Sequence, residues 1–168
     1  MIDGSPGLRG AVETTWSGVA VQRCTVHKLR NLERHVPHHA LEDVRTDYHR
    51  IVYAESLPAA QQAARAFVAK WTKLAPKVAE SLQEAGDELL TFYRFPKSQW
   101  KALRTTNAIE RLHGEFRRRV KTQGSLPNAQ AAELLLFGLL SSGQVRMRRI
   151  DGWQQLDQRP APLAQHAA

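Results

Sequence analysis

The feature that most constrains this chain is helix-period apolar spacing sustained from Ala40 to Gly86 and punctuated by prolines. Leu41, Val44, Tyr48, Ile51 and Val52 mark one amphipathic helix. Ala60, Ala63, Ala64, Phe67, Val68 and Trp71 mark a second, opened by Ser56-Leu57-Pro58. Pro76 opens a third, with Val78, Leu82 and Ala85 turned inward. Apolar residues recurring every three or four positions place one stripe of a helix on a core, and proline is tolerated in the first turn because its missing N–H has no partner there. The spacing predicts a helical bundle at the centre of the chain.

The flanks read differently. Asp3, Gly4, Ser5 and Pro6 are turn formers after a probable strand end, and Gly7–Trp16 fits a short helix stopped by Gly18. Val19 to Val26 reads as a strand of small and β-branched residues. From His27 to Val36 the period becomes helical, and Pro37 ends it. Leu89 to Phe95 is dense in apolar and aromatic residues and closes at Pro96. A helix is predicted from Asn107 to about Thr122, followed by Gly124. A last helix opens at Pro127 or Asn128. Its run Leu134, Leu135, Leu136, Phe137, Leu139 and Leu140 predicts burial on several sides. The end of the chain, residues 157–168, reads as a disordered tail.

Composition narrows the class. The 168 residues carry 24 Lys+Arg against 16 Asp+Glu, a formal net charge of +8, which favours a polyanionic partner. Ala131–Leu140 is the longest nearly apolar run; it contains Glu133 and is far shorter than the roughly 20 residues of a membrane span. No signal peptide is expected from the opening residues, and a single cysteine, Cys24, excludes an internal disulfide framework and suits a reducing compartment.

Three groups of residues could carry chemistry. On the helix after Asn107, the residues Ile109, Leu112, Phe116 and Val120 share a core-facing stripe. Glu110, Gly114, Arg117 and Lys121 share a neighbouring one: a carboxylate, a residue without a side chain, and two cations. That stripe suits a metal-holding acid beside cations on phosphates. It equally suits a capping box between Asn107 and Glu110 on a solvated face. Cys24 and His27 form a Cys-x-x-His pair, but with one thiol in the chain a packed cysteine is the better reading than zinc. Basic clusters occur at Arg23, Lys28 and Arg30, at Arg117, Arg118, Arg119 and Lys121, and at Arg146, Arg148 and Arg149.

Taken in order, Asp3-Gly4, the string Gln22-Arg23-Cys24-Thr25-Val26-His27-Lys28-Leu29-Arg30-Asn31, Phe95-Pro96 and Thr105-Thr106-Asn107-Ala108-Ile109-Glu110-Arg111-Leu112 resemble the Mutator-type transposases of bacterial insertion sequences. The resemblance covers roughly residues 1–156. It implies a mainly α fold with a short β remnant: the C-terminal part of an RNase H-like α/β catalytic domain carrying a helical insertion. Residues 1–27 would be the partial core, 28–104 the insertion and 105–156 the glutamate-bearing core helices. It implies an Asp, Asp, Glu triad holding Mg²⁺ or Mn²⁺, with Asp3 as the second aspartate and Glu110 as the glutamate. Arg117, Arg118, Lys121, Lys28 and Arg30 would contact DNA, while Cys24, His27 and Asn107 would brace the site. Trp71 matches an insertion-domain tryptophan whose role is left open between packing and DNA contact.

Two departures stand out. The first aspartate and the amino-terminal DNA-binding helices should lie before residue 1, and His113-Gly114 replaces a more usual polar Asn and longer residue. The expected activity is DNA strand cleavage and transfer by a homo-oligomer in the cytoplasm, associated with the nucleoid, with this chain inactive alone. The alternatives are a non-catalytic basic helical DNA-binding protein and a helical protein without a nucleic-acid partner.

Overall fold

A computed structural model describes residues 1–157. Among the described residues eight α-helices follow one another: α1 (Pro6–Thr15), α2 (Thr25–Glu33), α3 (Leu41–Val52), α4 (Leu57–Leu74), α5 (Pro76–Ala85), α6 (Trp100–Leu103), α7 (Asn107–Val120) and α8 (Ala129–Ser141). Short 3₁₀ turns join several of them. The chain divides into two compact units. The first holds Met1–Thr106 and the stretch from Asp151, the second Asn107–Ile150. The sequence boundaries at residues 27 and 104 belong to the proposed family architecture, and the tail predicted over 157–168 lies, beyond Asp157, outside the described residues.

The first unit is built on the predicted bundle. α4 starts where Ser56 Oγ accepts the Ala59 N–H at 3.4 Å, with Pro58 in its first turn. α5 starts at Pro76 and ends at Gly86, whose φ of 51° is a left-handed conformation that glycine adopts without steric cost. Packing joins α2, α3, α4 and α5 around Leu32, Val44, Tyr48, Ile51, Phe67, Trp71 and Val78. Trp71 is buried, and its indole N–H donates to Asp47 Oδ2 at 3.2 Å, so in this unit it packs. The Leu89–Phe95 stretch forms 3₁₀ turns. Phe92 and Tyr93 meet Trp100 at ring-centroid distances of 5.8 and 4.6 Å. The Tyr48 hydroxyl donates to the Thr25 carbonyl at 2.9 Å, and burial pushes this phenol well above its usual range.

Three expectations are corrected. The strand predicted over Val19–Val26 does not form. A single parallel bridge joins Ile2 to Arg23, Val19 is 51% exposed, and Thr25 and Val26 already belong to α2. β-branched residues favour a strand only where a neighbouring strand receives them. The second concerns α8, predicted to be buried on several sides. Leu139 is its one buried residue, whereas Leu134 and Phe137 are 71% and 67% exposed. Likewise α7 buries none of its residues, and Ile109, expected inward, is exposed. No described helix is long and apolar enough to cross a membrane.

Candidate functional site

Asp3 sits immediately after Ile2, which is buried and fixed by two backbone bonds: Ile2 N–H to the Gln22 carbonyl at 2.9 Å and Cys24 N–H to the Ile2 carbonyl at 2.8 Å. The Asp3 carboxylate is exposed, and its Oδ1 accepts the Ser5 N–H at 2.9 Å, an Asx turn leading into α1. Gly4 has φ of 104°, and a Cβ there would lie 2.4 Å from Arg23 Nη2. Only glycine satisfies both the backbone and the space. The Asp-Gly pair is therefore held against an arginine.

That arginine belongs to a buried charge network. Arg23 donates to Glu84 Oε1 and Oε2 at 2.8 and 3.1 Å, and Lys28 Nζ donates to Glu84 Oε2 and the Ser81 carbonyl, both at 2.7 Å. The two cationic side chains are 6% and 3% exposed and Glu84 58%. Hydrogen bonding from Arg23 lowers the Glu84 carboxyl from 4.5 to about 2. Gln22 completes the arrangement. Its amide donates to the Arg23 and Leu89 carbonyls and accepts the Phe92 N–H, at 2.6, 2.9 and 2.7 Å. The Gln-Arg-Cys-x-x-His-Lys string thus ties the Asp3 turn to α5 and the turns after it. Lys28 was expected on DNA; its ammonium is instead buried against Glu84, a correction that follows from the need of a buried cation for a partner.

The opposite end of the string meets the chain just before α7. Cys24 is buried with Sγ 3.4 Å from Thr106 Oγ1, which lies 3.5 Å from His27 Nδ1. Thr25 N–H and its hydroxyl both donate to the Arg104 carbonyl, at 2.8 and 2.9 Å. Asn107 is the first residue of α7 and is exposed, so Thr106 precedes the helix and Glu110 stands fourth in it. Arg30 is exposed on α2.

Glu110 lies on α7 in the second unit, exposed, whereas Asp3 belongs to the first. Among the described residues no three His, Cys, Asp or Glu side chains are gathered as a metal ion would require. On α7, Arg117 and Lys121 are exposed. Arg118, expected on DNA, pairs with Glu115 while remaining 70% exposed. Arg119 holds Glu115 Oε2 at 2.5 Å and also donates to the Gln144 carbonyl. The Arg119 hydrogen bond lowers the Glu115 carboxyl below its ordinary range. Sequence reasoning missed Glu84, and named Gln22 and Thr106 only within the family's strings, without a role for either. Glu84 shows no signal in sequence, because its partners are 61 and 56 positions away.

The chain is basic and helix-rich, with one acid in an Asp-Gly turn and another on an arginine-rich helix. The sequence model described as "Transposase, Mutator family" matches residues 1–148, and the chain belongs to that family. It is 36% identical over 137 residues to the transposase for insertion sequence element IS905 of Lactococcus lactis, a match covering 82% of this chain and 35% of that protein. It is 33% identical to the transposase for IS6120 of Mycolicibacterium smegmatis, covering 89% of this chain and 46% of the relative. Identity is also 33% to the transposase for IST2 of Acidithiobacillus ferrooxidans, covering 86% and 49%. The chain therefore spans about a third to a half of the length of these relatives.

Proposed function

We propose that this chain supplies part of the catalytic apparatus of a DNA transposase. Asp3 and Glu110 would be two of three metal-holding carboxylates in an RNase H-like core, and the α2–α5 bundle an insertion between them. The observation that carries this reading is the family match over residues 1–148, a range that includes Asp3-Gly4 and Thr105–Leu112. Hard carboxylate oxygens suit Mg²⁺ or Mn²⁺. In the whole protein that metal supports strand cleavage and transfer at the ends of an insertion element, by a homo-oligomer in the nucleoid-associated cytoplasm. The resemblance calls for a third carboxylate besides Asp3 and Glu110, and the expected activity of the 168-residue chain alone is nil.

The chain's own residues act on DNA by charge and position. Arg117, Lys121 and Arg30 are exposed cations suited to backbone phosphates. Cys24, His27 and Thr106 brace the approach to α7, and Arg23 with Gly4 sets the Asp3 turn. Incubating the purified chain with element-end DNA and Mn²⁺ tests the reading. No nicking is expected; metal-dependent nicking that disappears with Glu110→Gln would refute the inactivity. In a longer transposase carrying this region, Asp3→Asn and Glu110→Gln should each abolish cleavage and leave DNA binding intact.

The formal net charge of +8 favours a second reading, a DNA-binding module in which both acids are idle. Weak Mn²⁺ binding that is lost in the Asp3→Asn, Glu110→Gln double variant argues for the first. Mn²⁺ binding unchanged by the double variant, or none at all, argues for the second.

A further inference from the structure

We infer that the second unit carries a phosphate-binding cleft of its own, walled by Arg111 on α7 and by Arg146 and Arg148 after α8, which takes the backbone of a nucleic acid. The identity of the ligand rests on the DNA role proposed above; the cleft does not. It has a volume of about 340 Å³ and is lined by Arg111, Glu115, Arg146, Met147 and Arg148. One acidic residue, Glu115, lines it beside the three arginines, and its carboxylate is already engaged by Arg118 and Arg119.

The local structure explains why the arginines converge. α8 ends at Ser141, and Gly143 turns the chain with φ of 72°. Val145 is buried, and its N–H donates to the Leu139 carbonyl at 3.0 Å, which pins the segment to the end of the helix. Arg119 donates to the Gln144 carbonyl and so fixes the same segment to α7. Arg146 and Arg148 follow, two positions apart, and share the cavity with Arg111 of α7. All three are exposed, and none has an ion pair among the described residues. A concave wall with unpaired cations raises the positive potential above that of a flat face. Guanidinium groups suit phosphate because two parallel N–H groups match two of its oxygens. Arg118 and Arg119, the more conspicuous cations in the sequence, hold the cleft wall through Glu115, while the less conspicuous ones line the cavity.

The test is a salt titration of the full chain with a short duplex DNA, a single-stranded DNA and inorganic phosphate. Wild type is compared with Arg111→Gln/Arg146→Gln/Arg148→Gln and with a charge-matched control, Arg34→Gln/Arg50→Gln/Arg65→Gln, on the first unit. Expected is a fall in the salt slope for duplex binding of about one for each cleft arginine removed, and a smaller fall in the control. Glu115→Gln keeps an oxygen for Arg119 but removes the negative charge, so it should tighten binding about twofold or more. Equal slopes for the two triple variants overturn the cleft and leave the DNA reading standing. If neither DNA binds but phosphate does, and only with the cleft arginines present, the cleft stands and the DNA reading falls. No binding of any of the three ligands overturns both.

Discussion

Glu84→Gln is the sharpest perturbation of this fold, because one carboxylate faces two buried cations. The fall of the Glu84 carboxyl from 4.5 to about 2 caps its worth at about 3 kcal/mol. Its side chain is 58% exposed, so solvent screening reduces that figure towards the 0–1 kcal/mol of a surface pair. Against this, Arg23 and Lys28 are almost fully buried, and breaking a buried pair costs roughly 3–5 kcal/mol. The Gln oxygen can still accept from Arg23, and Lys28 keeps the Ser81 carbonyl. A loss of about 2 kcal/mol is the balance, or a drop in Tm of roughly 8 °C for a unit of this size.

The pH dependence has a definite sign. The folded carboxyl is depressed, so its contribution is complete above about pH 4.5 and disappears as pH falls towards about 2. Paired thermal melts of wild type and variant from pH 7 down to pH 3 should show the Tm gap narrowing below pH 4.5. A gap that stays constant across this range, or none at pH 7, would refute the claim that ionised Glu84 holds the two cations.

Gly4→Ala should destabilise by about 1–3 kcal/mol, through a strained φ and displacement of the Arg23 guanidinium; denaturant melts measure it, and a neutral result would show that the turn is loose. Phe67→Ala empties a fully buried position of α4 in the bundle core and should cost about 3–5 kcal/mol by the same measurement. Leu134→Gln with Phe137→Gln should change stability by less than about 0.5 kcal/mol, since both side chains face solvent; a large drop in Tm would show that α8 is covered.

The bundle of α3, α4 and α5 is legible from sequence because the information is local. Apolar residues at three- and four-residue spacing, Ser56 before Ala59 and Pro76 at a helix start act within one or two turns, and the helices form where these signals fall. The identity of the family is legible for the same reason, in short strings such as Gln22–Asn31 and Thr105–Leu112.

Tertiary structure decided what those strings do. Lys28 reads as a DNA contact in sequence and becomes the buried partner of Glu84, a residue 56 positions away that no local pattern marks. Val19–Val26 has strand propensity, yet one bridge to Ile2 is all the pairing it finds, because propensity needs a neighbouring strand to become a ladder. The apolar run of α8 shows that a face is hydrophobic and says nothing of what covers it, so Leu134 and Phe137 stand in solvent. Arg146 and Arg148 look like one more charged stretch until the turn at Gly143 and the Val145 bond carry them to Arg111. Periodicity follows from the geometry of a single helix, whereas pairing and burial depend on contacts between residues that only the folded chain brings together.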